Sequence, residues 1–240
     1  MPVLAASSPV DCFYMAYEAA RMALEHMTPV VLLTDAFIAN GSGAFRIPNI
    51  SDMPDIVPPF VKEEQKGSWT PYLRNPETGC RYWAVPGMQG FEHVVGGLEK
   101  SNETGEISGD PANHQLMTDL RARKVAMIPV PDLDAHNPDM LIVGFGGTYG
   151  HLHSALDIMK AKGRKVALAH FRYLNPLPKN TAEVLRRYKR VVVAELNGGQ
   201  LAAYLRMKVE EIHIEQYNQV MGQPFNVGRL VEALEKIMDK

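Results

Sequence analysis

The chain has 240 residues, 46% of them hydrophobic and 22% charged, with a formal net charge of −2; that length buries a substantial core and admits one or two domains. The near-neutral balance leaves no basic footprint for DNA or RNA. No apolar stretch approaches the roughly 20 residues of a spanning helix, and no basic segment with an apolar core and a small-residue cleavage site opens the chain. The expectation is a cytoplasmic protein that partners neither nucleic acid nor membrane.

Ser8-Pro9-Val10-Asp11 sets an N-cap serine, a proline at the first helical position and an acid in the first turn. Phe13, Ala16, Ala20, Ala23 and Met27 then recur at helical spacing. A buried strand follows over Val30 to Leu33 and ends at Thr34-Asp35. The loop beyond it, Ala36 to Arg46, lies where open α/β sheets place ligands, and a plain chain crossover is the alternative reading. From Ile47 to Asn137, Pro48, Pro54, Pro58, Pro59, Pro71, Pro76 and Pro86 break every period, which predicts a long irregular connection. Trp69, Tyr72, Tyr82 and Trp83 are too large and apolar for a free linker, so they are expected to pack on a partner or on the final domain. Asp110-Pro111 opens the one good helix of this region, to Val125. The two cysteines, Cys12 and Cys80, stand outside any CxxC pairing, which excludes a cysteine-ligated iron–sulfur cluster within the chain and suits reduced thiols.

The final domain starts near Asp139. Strand signals at Met140 to Val143, Lys165 to Ala169 and Val191 to Ala194 alternate with helical stretches at His151 to Lys162, Thr181 to Tyr188 and Val227 to Met238. A fourth strand is expected at Glu211 to Ile214. That alternation predicts an α/β fold, a small mostly parallel sheet with flanking helices. Gly144-Phe-Gly-Gly-Thr-Tyr-Gly150 follows a strand and opens a helix, as a dinucleotide phosphate loop would. Its third glycine falls one residue late, and the next strand ends at His170-Phe171-Arg172 without an acidic ribose ligand, although an arginine there suits a 2′-phosphate. The structural reading makes Thr148 the N-cap and has Gly146 and Gly147 serving close packing of helix on strand. His151 and His153 lie on nearly opposite sides of a helix and cannot chelate one metal from one face. Nothing in the sequence brings His93 or His114 to them.

Val191, Val192 and Val193 are β-branched residues of a strand buried on both faces. Glu195 and Asn197 cluster at its carboxyl end, Gly198 and Gly199 allow a tight turn, and Gln200 to Arg206 is helical in composition. Two readings of Glu195, Asn197, Gln200 and Arg206 stand: they satisfy the chain's own turns and helix ends, or they face a partner or a neighbouring cofactor.

The stretch Arg190 to Arg206, RVVVAELNGGQLAAYLR, with Gly222-Gln-Pro-Phe225, resembles the end of the alpha subunit of 2-oxoacid:ferredoxin oxidoreductases, of the 2-oxoglutarate type. Thr28 to Asp35 with Ala39-Asn40 and Phe45-Arg-Ile-Pro48, Tyr72 to Gly79, Val85-Pro-Gly87, Gly90-Phe-Glu-His93, Gly97 to Lys100, Asp110 to His114, and Arg172 to Pro178 extend the resemblance in order over nearly the whole chain. It implies the end of a thiamine-diphosphate-type pyrimidine domain at 1–48, a connector with one helix at 49–137, and a transketolase C-terminal-like domain at 138–240. It also implies a CoA-dependent oxidative decarboxylation of a 2-oxoacid to an acyl-CoA, run in an oligomer with a beta subunit and, indirectly, ferredoxin. The family's YPITPS-like substrate loop and thiamine-activating glutamate do not occur in this sequence. The expectation is therefore a C-terminal portion that is inactive alone, with no catalytic, cofactor or metal residue of its own. Thiamine diphosphate, magnesium, the iron–sulfur cluster and coenzyme A would be held by the beta subunit or by an upstream alpha-subunit region. A non-catalytic assembly module and, on the glycine loop alone, an NAD(P)-binding oxidoreductase are the alternatives.

Overall fold

The computed structural model describes residues 1–136 and 139–240; the expected boundary between residues 137 and 138 lies outside them. In chain order the elements are β1 (Val3–Ala5), α1 (Pro9–Glu25), β2 (Val31–Leu33), α2 (Ala36–Ala39), α3 (Pro111–Met127), β3 (Met140–Phe145), α4 (Tyr149–Ala161), β4 (Val166–Phe171), β5 (Tyr173–Asn175), α5 (Thr181–Arg186), β6 (Arg190–Glu195), α6 (Gln200–Lys208), β7 (Ile214–Asn218) and α7 (Val227–Met238). Two compact units form: Met1–Pro2, Tyr17–Val31 and Ile47–Pro129 make one, and Val3–Ala16, Leu32–Arg46 and Val130–Lys240 make the other.

The second unit is built on a four-stranded parallel sheet in the order β4-β3-β6-β7. The two-residue period of a strand explains how continuous apolar runs stay buried on both faces. Leu141, Val143, Val191 and Val193 meet Val184 and Leu185 of α5 and Leu201 and Leu205 of α6 on one side. Met140, Ile142, Val192 and Ala194 meet Leu152 and Met159 of α4 and Leu230 and Leu234 of α7 on the other. The mostly parallel α/β fold expected from the sequence is present.

The fourth strand lies later than expected. Glu211 takes a positive φ of 57°, which ends the preceding segment in a turn, and the strand runs Ile214–Asn218 as a polar, half-exposed edge with no apolar run to announce it. A second sheet, β2-β1-β5, was not anticipated. Its β1 and β5 are three residues each and pair antiparallel, Val3 with Asn175 and Leu4 with Tyr173.

In the first unit Asp110 caps α3, its Oδ1 accepting from Ala112 N at 3.1 Å and its Oδ2 from Asn113 N at 3.3 Å. Between residues 47 and 110 the chain is irregular, pinned by isolated bridges that pair Phe60 with Trp83, Arg74 with Arg81 and Lys100 with Ile107. Three of the four aromatic residues singled out from the sequence, Trp69, Tyr72 and Trp83, have partners within the first unit. Trp83 Nε1 donates to the Leu24 carbonyl at 2.9 Å, Trp69 packs edge-on to Phe91 and His93, and Tyr72 lies beneath the Arg81 guanidinium. Tyr82 is half-buried.

Candidate functional site

The carboxyl ends of β3, β4 and β6 bring together most of the polar residues singled out from the sequence. Helix α6 starts immediately after β6, and the first N–H groups of a helix have no partner within it. Glu195 and Asn197 supply those partners. The fully buried Glu195 carboxylate accepts from Leu201 N at 2.7 Å and Ala202 N at 2.9 Å. Asn197 Oδ1 accepts from Gly199 N at 2.7 Å and Gln200 N at 3.2 Å. The turn requires Gly199, which sits at φ 101° and whose missing Cβ would lie 2.3 Å from Gln216 Nε2. A carboxylate at the positive end of a helix is electrostatically favoured. Arg206 reaches from α6 to β7, donating to the Ile214 carbonyl at 2.6 Å and to Gln216 Oε1 at 3.2 Å. Gln200 is exposed.

At the glycine loop, Gly146 takes a φ of 62°. The Gly147 N–H donates to Asp35 Oδ2 at 2.9 Å, while Asp35 Oδ1 caps α2 through Ile38 N at 3.0 Å. An anion of the chain itself thus holds the loop amide that a phosphate would need. The close packing expected at Gly146 and Gly147 falls elsewhere: a Cβ on Gly147 would sit 2.1 Å from Asp35 Oδ2, whereas the contact of strand with helix is at Gly144, where a Cβ would meet Leu152 Cδ1 at 2.2 Å. Thr148 stands at the N-cap position of α4 as expected, but its side chain makes no capping hydrogen bond. It has helical φ and ψ within a 3-10 turn, and its hydroxyl donates to the Phe145 carbonyl at 2.6 Å. Arg172, the residue singled out as suited to a 2′-phosphate, is engaged by Asp11 through Nε and Nη2, one edge of its guanidinium.

His170 at the end of β4 faces the Gly146 carbonyl with Nε2 at 3.1 Å, so that nitrogen carries the hydrogen. Burial presses the pKa of His170 down to about 4, against the opposing pull of the Gly146 carbonyl, and the ring is neutral at physiological pH. It lines a cleft of about 480 Å³ with Asp132, Asp134, Tyr149, His153 and Lys160. His153 pairs with Asp157 on its own helix at 3.1 Å, and His151 packs against Phe37 with the rings tilted at 58°. His93 and His114 belong to the first unit, with Phe91 O and Glu99 as partners. Asp35 and His170 were missed from the sequence. The only signal for Asp35 was its place at a strand's carboxyl end.

Among the described residues no group of three or more His, Cys, Asp or Glu is placed to hold a metal ion. The glycine-loop amide already has an acid, and two cysteines fall short of the four thiolates of a common cluster. The glycine loop as built does not fit a diphosphate, and the two cysteines do not by themselves fit a four-thiolate iron–sulfur cluster.

Residues 1–109 match the family described as pyruvate flavodoxin/ferredoxin oxidoreductase, thiamine diphosphate-binding, and residues 138–232 match pyruvate:ferredoxin oxidoreductase core domain II. The chain is 45% identical over 238 residues to the 2-oxoglutarate oxidoreductase subunit KorA of Mycobacterium tuberculosis, covering 96% of this chain and 36% of that protein. It is 27% identical over 249 residues to the 2-oxoacid:ferredoxin oxidoreductase 1 alpha subunit of Aeropyrum pernix, covering 98% of this chain and 38% of that one. The solved 2-oxoglutarate:ferredoxin oxidoreductase from Magnetococcus marinus, with 2-oxoglutarate, coenzyme A and succinyl-CoA bound, superposes with a TM-score of 0.88 at 25% identity, over 99% of this chain and 42% of that one. This chain spans well under half the length of each of these relatives.

Proposed function

Because this chain belongs to the 2-oxoacid:ferredoxin oxidoreductase alpha subunits, we propose that it works as part of a 2-oxoglutarate:ferredoxin oxidoreductase. The enzyme cleaves the bond between C1 and C2 of the oxoacid, releases carbon dioxide, passes the electron pair to ferredoxin and joins the acyl group to the thiol of coenzyme A. The single observation that carries the reading is the 45% identity to KorA along 96% of the chain. Thiamine diphosphate, when bound, supplies the acyl-anion chemistry. In this proposal magnesium, the diphosphate and the cluster are held by a beta subunit and by further alpha-subunit sequence, and the location is cytoplasmic. No helix among the described residues is long and apolar enough to cross a membrane.

This chain's own contribution is structural, and the division 1–48, 49–137 and 138–240 is kept as its proposed domain plan. Glu195, Asn197 and Arg206 spend their hydrogen bonds on α6 and β7. That use supports a second, compatible reading in which residues 138–240 serve assembly, with the exposed Gln200 as the member of the group open to a partner.

The test is reconstitution. The chain alone should reduce no viologen dye with 2-oxoglutarate and coenzyme A. Combined with a beta subunit and the rest of an alpha subunit, it should do so faster with 2-oxoglutarate than with pyruvate. Turnover by the chain alone would overturn the structural role, and a reconstituted complex without turnover would overturn the assignment.

A further inference from the structure

Two arginines of the first unit are placed side by side with no carboxylate partner among the described residues. The turn Asn75 to Cys80 folds Arg74 and Arg81 into an isolated antiparallel bridge, so the two stand directly across from each other. Like charges in that arrangement repel. Both guanidiniums approach one ring, Arg81 at 4.3 Å and Arg74 at 5.7 Å from the centre of Tyr72. Both residues are half-buried. Loss of water depresses the pKa of each; Arg81 and Arg121 lower that of Arg74 further and Arg121 that of Arg81, against an opposing pull from Tyr72 on both.

Their hydrogen bonds go to neutral acceptors. Arg74 donates to the Tyr72 carbonyl, Asn102 Oδ1 and Met117 Sδ, and Arg81 to the Pro71 carbonyl at 3.4 Å. Among the described residues neither has a carboxylate partner. The nearby Glu99 is taken by Arg121 at 2.9 Å and His114 at 2.6 Å. Lys124, whose ammonium donates to the Met27 carbonyl, adds to the same positive field.

We propose that Arg74 and Arg81, set across the bridge above Tyr72, form a binding site for a phosphate-class oxyanion. Two planar forks with donors to spare match an oxyanion bidentately, and arginine does this better than lysine. The doubled charge selects a phosphate dianion over a single carboxylate, which one guanidinium would satisfy. The phosphate is either free or carried on a nucleotide-type ligand such as coenzyme A, and the site stands whether or not the proposed activity does.

The experiment titrates the 240-residue chain with inorganic phosphate at pH 8 and constant ionic strength, following the arginine Nε–H resonances and the melting temperature. Phosphate should bind saturably in the millimolar range and raise the melting temperature, with acetate at least about tenfold weaker. Arg81→Gln should weaken phosphate at least about tenfold while melting no lower than the parent in chloride, since it relieves the repulsion. Arg81→Lys should recover only part of the binding. If Arg74→Gln fails to fold, the Arg81 pair carries the test. Coenzyme A binding about tenfold more tightly than phosphate, and competing with it, assigns the site to a nucleotide ligand, and equal or weaker binding assigns it to free phosphate. Absence of saturation, equal affinity for acetate, or an Arg81→Gln variant that binds phosphate normally or melts equally lower in both salts would overturn the proposal.

Discussion

Replacing Glu195 by Gln keeps the side chain's volume and removes its charge and one of two acceptor oxygens. In the native site those oxygens accept from Leu201 N at 2.7 Å and Ala202 N at 2.9 Å in a fully buried setting. The new NH₂ must face one of these amides, and a buried donor left unpaired costs about 1–3 kcal/mol. Losing the negative charge at the start of α6 adds about 1 kcal/mol. Glu195→Gln should therefore cost about 3 kcal/mol, a large fraction of the roughly 5–15 kcal/mol that holds a domain together. Asn197→Ala, at a half-buried turn, should cost about 1 kcal/mol, as a lost cap does. Urea denaturation of the second unit gives both values, and hydrogen exchange at the Leu201 and Ala202 amides localises the effect. The reasoning is refuted if Glu195→Gln costs less than Asn197→Ala, or leaves those two amides as protected as before.

Three further outcomes follow from the loop region. Gly144→Ala should lower stability by about 1–3 kcal/mol through overpacking, because its Cβ would fall 2.2 Å from Leu152 Cδ1; thermal melting reads it against Gly150→Ala, where a Cβ meets nothing. His170 has a folded-state pKa of about 4, below its ordinary value of 6.5. The unfolded chain then binds more protons between those values, so stability is fully present above pH 6.5 and is lost as pH falls toward 4. His170→Gln should flatten that slope in urea midpoints measured across the range, and the His170 imidazole resonance titrating near 6.5 in the native protein would contradict it. Calorimetry with NADH and NADPH should show no saturable binding, since Asp35 holds the Gly147 amide and Asp11 holds Arg172.

What the sequence made legible was local. The valine run before Glu195, the Asp110-Pro111 start of α3 and the apolar periods of α1, α4 and α7 each encode their element in neighbouring residues, and each element formed within a few residues of its expected place. The failures are distant. Asp35 meets Gly147 across 112 positions, β1 finds β5 with three residues on each side, and β7 is an edge strand whose polar alternation lacks the signature of a buried one. At the site, Glu195 and Asn197 were visible as a polar cluster at a strand end. Their use on the chain's own turn and helix start was one of two readings the sequence left open, because composition alone does not say which amides their oxygens reach.

The division of the second unit into Val3–Ala16, Leu32–Arg46 and Val130–Lys240 has a consequence for the order of folding. On the ribosome, the early pieces leave the tunnel long before β3, β6 and β5 exist to receive them. The parallel core closes through crossovers of moderate span, but β1 can dock on β5 only after residue 175 has been made. Long-range pairing of this kind bears a loop-closure entropy that shorter connections avoid. The second sheet therefore closes in two stages: β1 can pair with the nearby β2 early, but the edge of Val3-Leu4-Ala5 that meets β5 stays open until the chain has reached residue 175.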